Sequence, residues 1–127
     1  MEKITAKRDP ANGGTIFSKI IRKEIPAQIV FENDEVLAFK DINPQAPVHV
    51  IIIPKITEIE TTRDIAPKKH DALLGALYEA ANKIAKDLGV SETGFRLVLN
   101  CGPDAGQEIY HLHLHLLGGR KMNWPPG

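Results

Sequence analysis

The stretch His111-Leu112-His113-Leu114-His115-Leu116-Leu117 alternates imidazole with aliphatic side chains. A period of two is typical of a β-strand, whose successive side chains point to opposite faces. We therefore expect three histidines on one face and buried leucines on the other, where each leucine contributes about 1.5–3 kcal/mol and fixes the register. A polar strand face exposed to water is the alternative. Because these histidines make up most of the chain's five and lie beside a glycine-rich segment at 102–107, the pattern favours a functional site.

The overall composition limits what this chain is able to bind. Its 127 residues suit one domain, and 16 basic against 16 acidic residues give no net charge. Nothing therefore indicates attachment to nucleic acid or to an anionic membrane, and a small molecule is the expected partner. The single cysteine excludes an intrachain disulfide, and the apolar runs are too short to cross a membrane. Because residues 1–10 lack a secretory signal, we expect a cytoplasmic protein, or a nuclear one if the source is eukaryotic.

Turn and periodicity signals predict an α+β fold. Residues 1–14 are polar and are interpreted as a flexible arm, followed by one domain over 15–127. Apolar spacing predicts a short helix over 16–23, capped by Thr15, and one long helix from Pro67 to the stop at Gly89. Alternation and turn residues predict five strands, at 28–32, 35–41, 48–53, 95–100 and 111–117. One long helix and hairpin-compatible connections favour a largely antiparallel five-stranded sheet over a doubly wound parallel one.

The histidine run resembles the defining motif of the histidine triad (HIT) superfamily, and other segments resemble its Hint branch. These segments are Thr15-Ile16-Phe17, residues 20–26, Asp41-Ile42, Pro44-Gln45-Ala46-Pro47, His49, Ile53-Pro54-Lys55, Gly106-Gln107, Tyr110-His111, Leu117-Gly118-Gly119-Arg120 and Trp124-Pro125-Pro126-Gly127. The resemblance extends over about residues 13–127. It implies a HIT-like fold, a homodimer, binding of a purine nucleotide, and hydrolysis of adenosine 5'-phosphoramidates to AMP and an amine. We expect no cofactor and no metal.

The resemblance also implies a role for each histidine of the run. His113 is the expected nucleophile, whose neutral ring attacks the α-phosphorus to give a nucleotidyl-histidine that water cleaves. His115 is expected to donate to the phosphate or the leaving group, while His111 and His49 orient the neighbouring rings. For His49 the alternative is a satisfied histidine at the start of a strand. We expect His70, near the start of the long helix, to be solvated.

Several other residues are candidates for contacts with a nucleotide. Gly106, beside Gln107, permits backbone N–H groups to converge on phosphate oxygens, although a plain turn is the alternative. Asp41 is suited to accept both ribose hydroxyls, or else it caps the turn into Pro44. Asn100 resembles the family's phosphate-side asparagine, and otherwise is a polar residue at a strand end. The base pocket is assigned to Phe17, Ile20, Phe39 and Ile42, for which ordinary core packing is the alternative.

Glu108 stands where many similar proteins carry a serine near the phosphate. Anionic phosphate repels a carboxylate, so we expect Glu108 to face the leaving group and to favour cationic amines such as lysine. A P–N bond breaks well only if its nitrogen gains a proton, which a row of histidines supplies. A polyphosphate leaving group would need clustered Arg and Lys or Mg²⁺, and the sequence has no Walker-type loop, so we do not expect ATP hydrolysis.

Two other functions stay open from the sequence. A zinc protein would use two triad histidines with His49, because His-x-His plus a distant histidine is a known ligand pattern; strand spacing keeps all three triad rings from sharing one ion. A module that binds nucleotide without turnover is the other alternative. Trp124 is either an exposed tail anchor or, as the resemblance implies, a residue near the active site of the dimer partner.

Overall fold

Two helices and five strands make up the computed structural model, which describes residues 14–127. Their bounds are α1 Ile16–Ile21, β1 Ile29–Glu32, β2 Val36–Lys40, β3 Val48–Pro54, α2 Asp71–Asp87, β4 Phe95–Val98 and β5 Leu114–Gly118. A 3₁₀ helix at Thr62–Asp64 lies between β3 and α2. Residues 1–13 of the predicted arm lie outside the described residues. Over residues 14–127, none of the helices is both long and apolar enough to cross a membrane.

The strands form one sheet in the order β1-β2-β3-β5-β4, and each neighbouring pair is antiparallel. The expected fold class, a five-stranded antiparallel sheet with one long and one short helix, is therefore confirmed. β3 lies at the centre because its β-branched, apolar side chains suit burial on both faces, and it is buried along nearly its whole length.

The two faces of the sheet are covered by different helices. On one face α2 packs over the leucines of the histidine run, and Leu112, Leu114 and Leu116 are all buried there as the alternation predicts. On the other face α1 completes a second cluster, made by Phe17, Ile20, Leu37, Phe39, Ile51 and Ile53. The Thr15 hydroxyl caps α1 by accepting the N–H of Phe17 at 3.1 Å, as expected from the sequence. Because side chains alternate along a strand, the histidines face the α1 side.

The strand predicted at 111–117 is shorter than expected, since β5 begins at Leu114. The preceding backbone is held elsewhere, with the Leu112 N–H donating to the carbonyl of Ile59 at 2.9 Å. His111 and His113 nevertheless keep the alternation, and their rings lie 6.1 and 5.1 Å from that of Phe17. The pattern was therefore right about the face of these residues and wrong about their pairing in a sheet.

The long helix begins at Asp71, later than the sequence predicts. Lys68 has a φ of 72°, in the left-handed region, so a right-handed helix cannot run through it. His70 occupies the N-cap position, where its Nδ1 accepts the N–H of Ala66 at 2.8 Å and its Nε2–H donates to Glu58 at 2.8 Å. His70 is buried at 5% exposure, so the expectation that it is solvated was wrong.

Candidate active site

A cavity of about 440 Å³ opens on the α1 side of the sheet, which is a volume typical of small-molecule sites. The four residues expected to form a base pocket all line it: Phe17, Ile20, Phe39 and Ile42. The polar side chains in its wall are Lys40, Asp41, Asn100, Glu108, His113 and His115. The apolar and polar parts of this wall suit a ligand that is aromatic in one part and ionic in another.

His113 presents an unprotonated ring nitrogen. Its Nδ1 lies 2.7 Å from the carbonyl oxygen of His111, and since a carbonyl only accepts, Nδ1 carries the ring proton. Burial lowers the pKa of the His113 imidazole below its ordinary value, while the His111 carbonyl and the Asp41 carboxylate oppose that lowering. The ring is therefore neutral near pH 7, with a lone pair on Nε2. This is the form of histidine that attacks an electrophile.

His49 and His115 form a hydrogen-bonded pair across β3 and β5. The register sets His115 opposite Ile51 and His49 opposite Leu117, so the two histidines are diagonal neighbours on one face. His49 Nε2 lies 2.8 Å from His115 Nδ1, and the Gln45 N–H donates to His49 Nδ1 at 3.0 Å. Because Nδ1 of His49 accepts a hydrogen bond, its proton is on Nε2 and is donated to His115. The proton of His115 therefore lies on Nε2.

Burial keeps this pair neutral. It lowers the pKa of His49, although the nearby Asp41 carboxylate opposes the lowering. Burial, together with the neighbouring rings of His113 and His49, lowers the pKa of His115 to about 4. The rings of His113 and His115 meet edge to face, with centroids 5.0 Å apart. A neutral ring that carries an Nε2–H, His115, and a neutral ring with an unprotonated Nε2, His113, thus lie side by side in the cavity wall.

His111 lies behind the wall and is 1% exposed. Its Nε2–H donates to the carbonyl of Pro54 at 2.8 Å, and burial lowers the pKa of its imidazole. Its own carbonyl holds the proton of His113 in place. Of the four histidines expected at the site, His113 and His115 reach the cavity, while His111 and His49 contact them from behind.

Asp41 caps the turn into Pro44 and also lines the cavity. Its Oδ1 accepts the N–H of Asn43 at 2.8 Å, which is the turn-capping bond. Its Oδ2 lies 3.4 Å from His49 Nε2, and the carboxylate lines the cavity. Since each carboxylate oxygen accepts more than one hydrogen bond, the side chain has capacity for ligand hydroxyls.

The glycine-rich loop brings Gly106 and Glu108 into the cavity wall beside Asn100. Gly106 has a φ of 84°, a conformation that glycine adopts without strain. The side chain of Gln107 is buried and bonds to backbone groups, accepting the Gly102 N–H at 3.0 Å. Gln107 therefore stabilises the loop. It does not line the cavity itself but supports Gly106 and Glu108, which do.

Other wall residues were not identified from the sequence. Ile51 was foreseeable, since it shares a face of β3 with His49 by the period of two. Ile109 and Lys40 lie at an irregular loop and at a strand end, where no periodic signal points to a cavity.

One group of donors in the described residues has the composition of a metal site. Asp41, His49 and His115 each offer one ligand atom, and these atoms lie within 4.8 Å of one another. Zinc–nitrogen bonds of about 2.0–2.1 Å at tetrahedral angles separate two ligand nitrogens by about 3.3 Å. His49 Nε2 and His115 Nδ1 are 2.8 Å apart, a distance that suits a shared proton better than a shared zinc ion.

The chain matches the model of the HIT domain family over residues 22–122. A protein of Arabidopsis thaliana named adenylylsulfatase HINT1 is 52% identical over 118 residues, or 93% of this chain and 80% of that protein. A 14 kDa zinc-binding protein of Zea mays is 52% identical over 126 residues, or 99% of this chain and 98% of its own.

Solved structures agree with these matches. The crystal structure of a HIT family hydrolase from Legionella pneumophila superposes with a TM-score of 0.85 at 52% identity, covering 88% of this chain and 98% of that one. A histidine triad nucleotide-binding protein from Candida albicans superposes with a TM-score of 0.73 at 32% identity, covering 87% of this chain and 82% of that one.

Proposed function

Because this chain belongs to the HIT domain family, we propose that it is a nucleotide hydrolase that cleaves adenosine 5'-phosphoramidates to AMP and an amine. A similar protein described as a hydrolase supports the coarse function. The observation that carries the proposal is His113, a neutral imidazole with a free Nε2 lone pair in a cavity wall. Such a nucleophile forms a covalent nucleotidyl intermediate.

The nucleotide is assigned to the cavity by the character of its walls. The purine lies among apolar side chains, and burying its planar ring against them favours binding. These side chains are Phe17, Ile20, Phe39 and Ile42. Asp41 accepts the ribose hydroxyls, and the α-phosphate lies beside Asn100 and the Gly106 backbone. This placement puts the phosphorus in front of His113.

The reaction has two steps. The Nε2 lone pair of His113 attacks the α-phosphorus, and the P–N bond breaks with its electron pair passing to the departing nitrogen. That nitrogen accepts a hydrogen bond from the Nε2–H of His115, takes a proton from solvent, and leaves as the amine. Water then attacks the phosphorus and loses a proton to solvent, the bond to His113 breaks, its electron pair returns to Nε2, and AMP departs.

The leaving group is assigned by charge. Glu108 lines the cavity, so a cationic amine is attracted and an anionic group is repelled. One similar protein is named an adenylylsulfatase. For this chain we favour an amine over sulfate as the leaving group because of that carboxylate.

Zinc binding is a second candidate function, favoured by the name of the maize relative and by the Asp41, His49 and His115 donors. The nitrogen separation does not fit tetrahedral zinc without movement, so no catalytic step is routed through a metal. Full turnover in EDTA supports the first function. One tightly held zinc per chain, with no turnover in EDTA, supports the second.

A homodimer formed through β4 is part of the proposal. In the described chain β4 is an outer strand, and Phe95–Val98 are all half-buried. Pairing β4 of two copies gives the backbone N–H and C=O groups of this edge hydrogen-bond partners and forms a twofold assembly. Arg96 donates to the Asn123 carbonyl at 3.0 Å and lies 5.9 Å from the Trp124 ring centroid, which brings the tail to the same edge. Light scattering should give twice the chain mass; a monomer at micromolar concentration would refute the dimer.

The covalent intermediate provides the test of the hydrolase. Protein mixed with adenosine 5'-phosphoramidate and quenched in alkali should carry an adenylyl group by intact mass, and His113→Ala should carry none. His70→Gln is the matched control, since it removes an imidazole outside the cavity; it should form the adduct, with its fold checked by circular dichroism. AMP binding with neither adduct nor turnover would instead identify a binding module.

A further inference from the structure

Arg120 lies at one end of a series of hydrogen bonds that ends at His115. Its Nε–H donates to the carbonyl of Gln45 at 3.0 Å. The N–H of the same Gln45 donates to His49 Nδ1 at 3.0 Å, and His49 Nε2–H donates to His115 Nδ1 at 2.8 Å. The tail after β5 is therefore connected to the cavity wall through one residue of the loop between β2 and β3.

The residue before Arg120 contacts the same loop. A Cβ built on Gly119 would lie 2.9 Å from the Cβ of Pro47, so the Gly119 backbone packs closely against the Pro47 side chain. Within the loop, the side-chain amide of Gln45 donates to the carbonyl of Asn43 at 3.0 Å. Gln45 is thus held on both sides, and the direction of its N–H is set by neighbours rather than by a regular strand.

The direction of that N–H matters because a neutral imidazole has one donor and one acceptor nitrogen. A backbone N–H aimed at Nδ1 of His49 makes the other tautomer, with the proton on Nδ1, unfavourable. His49 must then donate from Nε2, and His115 must accept at Nδ1. The cavity-lining His115 consequently carries its only proton on Nε2.

We infer that Arg120 is a positioning residue, which holds the Gln45 backbone so that its N–H selects the Nε2–H tautomer of His49 and, through it, that of His115. Outer hydrogen-bond partners of functional histidines fix ring tautomers in this manner in metal sites as well. The inference concerns the histidine pair itself; only its kinetic consequence rests on the proposed function.

The test is to read the tautomers directly. Two-bond ¹H–¹⁵N correlation spectra of the full chain at pH 7 distinguish protonated from unprotonated ring nitrogens. In the unmodified protein, His49 and His115 should both show a protonated Nε2 and an unprotonated Nδ1. Arg120→Met should shift the nitrogens of both rings toward averaged values, because part of the population adopts the other tautomer.

The neighbouring residue offers a matched control. Lys121→Met removes the same charge from the same tail, and should leave the nitrogen shifts of both rings as in the unmodified protein. Unchanged tautomers in Arg120→Met would overturn the inference. Equal changes in Arg120→Met and Lys121→Met would also overturn it, since general loosening of the tail would then be the cause.

A kinetic measurement adds a second readout. With adenosine 5'-phosphoramidate, Arg120→Met should lower kcat about 10-fold and change KM by less than about twofold, since the substrate contacts stay in place. If the unmodified protein does not hydrolyse this substrate, the proposed function fails while the tautomer spectra still decide the role of Arg120. A rise in KM with unchanged kcat would assign Arg120 to binding instead.

Discussion

His113 Nδ1 lies 2.7 Å from the carbonyl oxygen of His111, two residues earlier in the chain. This bond fixes the proton of the His113 ring on Nδ1 and leaves Nε2 with its lone pair. The proton position of this ring is therefore set by a backbone carbonyl two residues earlier.

The first prediction concerns the pH dependence of activity. Protonation of His113 removes its lone pair, and burial lowers its pKa below the ordinary 6.5. The ratio kcat/KM, which follows ionisations of the free enzyme, should therefore stay level from pH 8 down past pH 6.5 and fall only in more acidic solution. Initial rates at subsaturating substrate measure this. A half-loss of kcat/KM at or above pH 6.5 would contradict a buried nucleophile.

A second prediction concerns stability. When the protein unfolds, His115 regains a pKa near 6.5 from about 4, so below pH 6.5 the unfolded chain binds more protons than the folded one. The stability present above pH 6.5 is lost as pH falls toward 4. The melting temperature should thus be lower at pH 5.5 than at pH 7.5. The variant His115→Asn should show a smaller decrease between these two pH values; an undiminished decrease would assign the effect to other groups.

Glu108 should select among leaving groups by charge. Glu108→Gln removes the cavity carboxylate, so kcat/KM for a lysyl phosphoramidate should fall about 5-fold, equal to about 1 kcal/mol for a solvent-exposed charge pair. A neutral alkyl phosphoramidate is the matched control substrate and should change little, while adenylyl sulfate should be used better. Equal losses on the lysyl and alkyl substrates would show that Glu108 does not recognise the amine.

The contact between the tail and the loop has a measurable energy. Gly119 and Gly89 both have positive φ, 89° and 76°, but an added Cβ meets Pro47 only at Gly119 and nothing within 4 Å at Gly89. Alanine at either position is destabilised because it must adopt a positive φ. Gly119→Ala should lose at least about 1 kcal/mol more free energy of unfolding than Gly89→Ala, because its added Cβ overpacks against Pro47. Urea denaturation measures the difference. Equal losses of unfolding free energy in the two variants would mean that the loop moves away from the added Cβ without loss of stability.

Much of the fold was accessible from the sequence because its patterns are local. The alternation of leucines after His111 identified the side facing α2, and Thr15 identified the start of α1. The β-branched run of β3 identified the central strand. These features depend on neighbouring residues alone, so periodicity and capping rules apply to them directly.

Other features depend on contacts between distant residues. β5 begins its pairing only at Leu114 because the side chain of His111 donates to the carbonyl of Pro54, and the Leu112 N–H donates to the carbonyl of Ile59. The start of α2 is set by the left-handed Lys68, which no helix propensity indicates. Local rules therefore misplace both boundaries.

Part of the candidate site was also predictable from the sequence, and part of it depends on contacts between distant residues. The histidine pattern and the resemblance named His113 and His115, and the structure brings both into one cavity with Asp41. Neither source gave the tautomers, because these depend on the Gln45 N–H and the His111 carbonyl. The role of Arg120 was likewise hidden, since the loop that it contacts is 75 residues away in the chain.

Hydrolysis of adenosine 5'-phosphoramidate in EDTA, by the intact protein and by His113→Ala, tests the central claim most directly. The account predicts repeated turnover by the intact protein and a loss of about 10⁴-fold or more in kcat when the nucleophile is removed. Equal rates in the two proteins, or turnover by the intact protein only after zinc is added back, would contradict metal-independent catalysis by His113.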